Sequence, residues 1–172
     1  MTHESPSQRA AGFSARAHRG QLRRDGITPY SAHPARVALL CATLFRCTDE
    51  DTLAAAYLHD VIEDCACDYD EIAAAFGATV AGYVAGMTKD MRLREDLRER
   101  AYHEQLEQAP TAVRLIKLAD TLDNLSDAVG DRTEKALGKA RAAIKLARRD
   151  PALADAVAIM CDRLATFGFD SN

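Results

Sequence analysis

The chain contains no tryptophan, and its 172 residues include only nine glycines and five prolines. So few helix-breaking residues, beside 48% hydrophobic and 28% charged residues, exclude a fibrous, low-complexity or disordered chain and suit a mostly helical globule. An excess of positive charge is also missing. With a net charge of −4, no general basic surface exists to displace counterions from a nucleic-acid backbone, so nucleic acid is not an expected partner. The five cysteines (Cys41, Cys47, Cys65, Cys67 and Cys161) form an odd set without paired Cys-x-x-Cys spacing, which argues against a disulfide framework and a structural zinc site. Reduced thiols are expected. Met1 to Ala11 lacks the apolar centre of a signal peptide, and no later run reaches the length of a membrane span. The expected location is therefore the cytoplasm, with no membrane partner. Internal repeats and Gly-rich phosphate loops are absent too. The length leads us to expect one domain over residues 1–172, with 1–7 a flexible lead-in.

What is present is organised around Leu58-His59-Asp60-Val61-Ile62-Glu63-Asp64. At about 100° per residue, a helix would gather His59, Asp60, Glu63 and Asp64 within an arc of roughly 140°. Leu58, Val61 and Ile62, with Ala54 and Ala55 a turn earlier, would form the opposite, apolar stripe. Chemistry faces one way and packing the other.

The remaining periodicities predict an all-α fold, a bundle of about eight to ten helices. A first helix is expected from Gln8 to about Arg24, where the basic pair Arg23-Arg24 would offset the helix dipole. Thr28-Pro29 then turns the chain so that His33 stands at the entrance of a helix begun by Pro34. Asp49, Glu50 and Asp51 open the helix leading to the central stretch, Tyr69 to Phe76 forms another stopped by Gly77, and Ala78 to Met87 follows. Met91 to Gln108 is heavily charged and reads as a solvated helix face or a mobile flap. Pro110 begins a helix with Leu115, Leu118, Leu122 and Leu125 on one broad side. Lys117, Asp120 and Asn124 gather on the other, a placement that predicts solvent exposure for Asp120. Two more helices, about Arg132 to Arg149 and Ala152 to Phe167, complete the bundle.

Three distant groups can be collected into one site: His33, the pair His59-Asp60, and Asp120. Two imidazoles and two carboxylates suit a divalent ion such as Mn²⁺ or Fe²⁺, whereas a closed zinc site would favour thiolates. Glu63 and Asp64, a turn beyond, are placed to orient water or move protons.

In order and spacing these residues resemble the HD-domain metal-dependent phosphohydrolases. More narrowly, the chain resembles the hydrolase domain of the RelA/SpoT family and its single-domain relatives, the small alarmone hydrolases. His18-Arg19-Gly20-Gln21, Arg23-Arg24, Pro29-Tyr30, His33-Pro34, the Leu58 to Asp64 string, Phe76-Gly77, Met87-Thr88-Lys89, Lys117-Leu118-Ala119-Asp120 and Asn124-Leu125 carry the resemblance, over roughly residues 8–129. It implies removal of the 3′-pyrophosphate from guanosine tetra- or pentaphosphate with one Mn²⁺. His33, His59, Asp60 and Asp120 would hold the metal, Glu63 and Asp64 would be the acid/base pair, and Arg23, Arg24 and Asn124 would contact the nucleotide. The chain departs from the family pattern at Thr121 and Asp123, where a basic residue and then His or Tyr are usual, and at Cys65, where Thr is common. Beyond Val129 no residue aligns with the aromatic that many relatives use near the nucleotide; the region offers Lys135, Lys139 and Arg141 instead. Two other readings fit the same residues: hydrolysis of another phosphorylated nucleotide such as NADPH, and nucleotide binding without turnover.

Overall fold

The computed structural model describes residues 4–166. They form ten α-helical segments: α1 (Pro6–Ala17), α2 (Ala32–Leu39), α3 (Glu50–Leu58), α4 (Val61–Asp64), α5 (Tyr69–Phe76), α6 (Ala78–Met87), α7 (Glu95–Gln108), α8 (Thr111–Ser126), α9 (Arg132–Ala147) and α10 (Ala154–Ala165). A π-helical turn at Leu40–Leu44 extends α2, and a 3₁₀ turn at Pro151–Leu153 leads into α10. Among the described residues the one β pairing is an isolated bridge, Leu22 with Pro29. The all-α expectation holds.

Side-chain caps fix three of the helix starts. Ser5 and Gln8 make a reciprocal capping box at α1, and Asp49 and Asp68 cap α3 and α5 by accepting from Thr52 and Glu71 backbone N–H groups. Helix α1 therefore begins at Pro6, inside the lead-in expected to be flexible; Met1 to His3 and Phe167 lie outside the described residues. It ends at Ala17, not near Arg24. Gly20 turns the chain at φ +79°, and residues 21–30 fold back on themselves, with Arg23 N–H donating to the Thr28 carbonyl at 2.7 Å and Tyr30 N–H to the Gln21 carbonyl at 2.9 Å. Arg23-Arg24 thus sits on a hairpin-like loop, and Asp25 pins its tip through the Ile27 and Thr28 amides.

Helix α8 organises the packing. Val113, Ile116 and Ala119 enter one buried cluster with residues of α1 to α6, while Leu115, Leu118, Leu122 and Leu125 enter a second with α9 and α10. Two apolar faces on one helix leave a narrow polar strip, which is buried at Asp120 and Asp123 and exposed at Asn124. Asp120 is only 7% exposed and Asp123 only 3%, so the expectation of a solvent-facing Asp120 is wrong. The leucine stripe identifies one packed side of α8; the smaller Val113–Ile116–Ala119 stripe that buries the other is hidden by its modest size.

Candidate active site

The central stretch is not one continuous helix. Helix α3 stops at Leu58, Asp60 adopts φ −102° and ψ −5°, and α4 restarts at Val61. His59 and Asp60 therefore occupy a break between helices. The break has a chemical use, because the Ala56 carbonyl, which a continuing helix would engage, accepts from His59 Nδ1 at 2.8 Å. A carbonyl only accepts, so Nδ1 carries the proton and Nε2 points inward.

His33 is oriented the same way from α2. Its Nδ1 lies 2.7 Å from Asp123 Oδ2 on α8, which places the proton there and aims Nε2 at the same interior point. His33 Nε2 is 3.4 Å from Asp60 Oδ2 and 3.3 Å from Asp120 Oδ1. His59 Nε2 is 3.2 Å from Asp60 Oδ1 and 3.9 Å from Asp120 Oδ1. The sequence residues His33, His59, Asp60 and Asp120 thus converge.

These residues fit a divalent cation. His33, His59 and Asp60 offer ligand atoms all within 4.8 Å of one another, and His59 Nε2 is buried without a hydrogen-bond partner. Electrostatics point the same way. Burial opposes charge on all four groups, yet the carboxylates around His33 lift its pKa to about 11 and Asp60 raises that of His59, while the imidazoles, and Lys117 for Asp120, hold Asp60 and Asp120 below the ordinary carboxylate range. The pocket demands positive charge at its centre, from protons or from a metal. Hydrogen bonds behind each imidazole are the usual way to fix a metal-binding tautomer.

Glu63 and Asp64 of α4 border this centre. Burial raises the Glu63 pKa, against the pull of the Lys89 backbone N–H, which donates to Oε2 at 3.1 Å. Tyr30 hydroxyl lies 2.7 Å from Asp60 Oδ2 and 2.8 Å from Asp64 Oδ2, so one proton ties the two carboxylates together. Arg23, Arg24 and Asn124 line the same cavity of about 560 Å³. Arg23 is already engaged, its Nη2 donating to Asn124 Oδ1 at 3.2 Å and to Asp127 Oδ2 at 3.0 Å. Asn124 in turn donates to Asp120 Oδ1 at 2.6 Å.

Several participants escape the sequence reading. Tyr30, Asp123 and Lys117 appear there only as motif members or departures, and Arg36, which donates to Asp123 and to Asp127, not at all. Arg36 was detectable in one respect: three residues after His33, it shares that residue's helix face.

The HD domain family model matches residues 10–150. A Danio rerio protein named guanosine-3′,5′-bis(diphosphate) 3′-pyrophosphohydrolase MESH1 is 42% identical over 119 residues, covering 67% of this chain and 64% of that protein. The Homo sapiens protein of the same name is 42% identical over 119 residues, covering 69% and 66%. The match therefore spans just under two thirds of these curated relatives. A solved structure described as a metazoan ortholog of SpoT that hydrolyzes ppGpp superposes with a TM-score of 0.84 at 28% identity, covering 98% of both chains.

Proposed function

We propose, from the premise that this chain belongs to the HD domain family, that it hydrolyses the 3′-pyrophosphate of guanosine tetra- or pentaphosphate to GDP or GTP and pyrophosphate. The observation that carries the reading is the junction of two inward-facing imidazole nitrogens with Asp60 and Asp120, bordered by Glu63, in one cavity lined by cationic side chains. The named activity of its MESH1 relatives supports the substrate.

His33, His59, Asp60 and Asp120 would hold one divalent ion, Mn²⁺ in our reading. When bound, such an ion neutralises phosphate oxygens and acidifies water. Glu63, whose carboxyl pKa burial lifts above its ordinary range, takes a proton from the attacking water. Asp64, tied to Asp60 through Tyr30, keeps that water oriented. The water oxygen bonds to the phosphorus attached at the ribose 3′ oxygen, the P–O3′ bond breaks, and the 3′ oxygen leaves with a proton. Asn124 and Arg23 place the ribose, and Arg24, exposed at the cavity mouth, meets the nucleotide from outside. Cytoplasmic residence and a single domain over the whole chain belong to the same reading. Among the described residues, no helix is long and apolar enough to cross a membrane.

The test is turnover of guanosine tetraphosphate by protein stripped with a chelator and then resupplied with Mn²⁺. GDP and pyrophosphate should appear only after resupply. Metal-independent turnover, or other products, would overturn the reading.

A further inference from the structure

Helix α8 orders the cavity along its axis. Lys117 lies one turn before Asp120 and Asn124 one turn after it, and the seven residue steps between the outer two, at about 1.5 Å each, set them roughly 10 Å apart. Arg23 and Asn124 occupy one side of the metal-binding carboxylates; lysines occupy the other. Lys117 Nζ donates to Asp120 Oδ2 at 2.8 Å, and Lys89, whose backbone N–H meets Glu63, donates its Nζ to Glu99 at 2.7 Å. Both ammonium groups stand 5.2 Å from the centroid of the buried Tyr102 ring. Lys139 reaches in from α9, and these three lysines with Tyr102 line both the main cavity and a smaller pocket of about 110 Å³ behind it.

Three ammonium groups converging on one wall are mutually repulsive unless anions compensate them. Lys117 has Asp120 and Lys89 has Glu99, whereas among the described residues no carboxylate lies within ion-pair distance of Lys139, which feels Glu99 and Asp120 only at longer range. Partial desolvation of its head group and the charges of Lys89 and Lys117 hold its pKa below the ordinary lysine range. The three lysine head groups outnumber the two carboxylates they pair with, Asp120 and Glu99, beside the place where a phosphoryl group would be attacked.

We propose that Lys89, Lys117 and Lys139 form an anion subsite for the distal phosphate of the pyrophosphoryl group, so that the site distinguishes pyrophosphoryl esters from monophosphoryl esters. The proposal rests on the alarmone reading for the identity of the ester. It also gives Lys139 a role in a region where the family's aromatic residue has no counterpart in this sequence. The nucleoside, anchored at Arg23 and Asn124, and the distal phosphate, anchored at the lysines, straddle the attacked phosphorus, and the cleaved bond is thereby fixed.

The test compares wild type, Lys139→Gln and Lys139→Arg. Lys139 is exposed at the rim, so both variants should fold, which thermal unfolding checks. Loss of one charge-assisted contact should weaken calorimetric binding of inorganic pyrophosphate about tenfold in Lys139→Gln and leave orthophosphate binding within about twofold, with Lys139→Arg close to wild type. In turnover, kcat/KM should fall about tenfold on guanosine 5′-diphosphate 3′-diphosphate but stay within about twofold on guanosine 5′-diphosphate 3′-monophosphate. Equal losses on both esters would assign Lys139 to the 5′ phosphates and overturn the proposal, as would no loss on either. If the wild type turns over neither ester, Lys139-dependent pyrophosphate binding still upholds the subsite while discarding the alarmone substrate, and Lys139-independent binding discards the subsite.

Discussion

Asp123 Oδ2 lies 2.7 Å from His33 Nδ1, and both residues are almost fully buried. The same carboxylate accepts from Arg36 Nη2 at 3.0 Å, and Arg36 reaches on to Asp127 at 2.7 Å. His33 is therefore held by a chain of charges running from the interior to the surface. Burial would raise the Asp123 pKa, but His33 and Arg36 outweigh it and keep the carboxyl below its ordinary range, so it remains an acceptor that holds the His33 proton on Nδ1.

Asp123→Asn should weaken metal binding about 10- to 100-fold, the usual consequence of losing the group behind a ligating histidine. Competition against a chelator of known affinity measures this directly. Unchanged affinity would reduce Asp123 to a packing role.

Glu63→Gln should retain the metal and lose about 10²- to 10⁴-fold in kcat, the typical worth of a general acid–base group. The amide preserves an acceptor for the Lys89 backbone N–H while removing the ability to take a proton. A retained rate with bound metal would remove Glu63 from the mechanism.

Two glycines on α6 should respond oppositely to alanine. A Cβ at Gly82 meets nothing within 4 Å, whereas one at Gly86 would come within 3.0 and 3.3 Å of the two methyl groups of Val113. Val113 is fully buried on α8 and its branched side chain has little freedom to yield. Gly82→Ala should stabilise by up to about 1 kcal/mol through helix propensity, and Gly86→Ala should destabilise by about 1 to 2 kcal/mol as overpacking exceeds that gain. Thermal unfolding of the pair separates the two effects; equal shifts would contradict the close α6–α8 approach.

Asp150 joins the start of α8 to the turn before α10, accepting from Thr111 Oγ1 at 2.6 Å, from Arg114 Nη2 at 2.7 Å and from the Ala152 amide at 3.1 Å. The hydrogen bond from Thr111, and then Arg114, lower its pKa in the folded protein. A depressed folded pKa contributes stability above the unfolded value of about 4 and loses it as pH falls through the folded value. Asp150→Ala should therefore cost about 1 to 3 kcal/mol near neutrality, with the gap to wild type closing as the solution is acidified below pH 4. Urea unfolding at several pH values measures it; a gap independent of pH would show that the charge contributes nothing.

Helix class, most boundaries and the candidate status of His33, His59, Asp60 and Asp120, which the fold brings together, were legible in the sequence because each rests on local signals: caps, Gly and Pro stops, and residue types suited to a divalent ion. Tyr69 to Phe76 and Ala78 to Met87 coincide with the observed helices. Non-local effects were not legible. The fold-back of residues 21–30 depends on pairing between Leu22 and Pro29, the helix break at His59-Asp60 is invisible to periodicity, and the burial of Asp120 follows from α8 lying between two apolar clusters. Asp123 read as an acidic departure from a pattern; only the approach of α2 to α8 makes it the partner of His33.

Hydrolysis of guanosine tetraphosphate in ¹⁸O-labelled water, with mass analysis of both products, tests the central claim most directly. Water adding to the phosphorus at the 3′ oxygen, with cleavage of the P–O3′ bond, should place the label in pyrophosphate and leave GDP unlabelled. Label in a nucleoside product, release of labelled orthophosphate, or no turnover by the Mn²⁺-loaded protein would contradict the account.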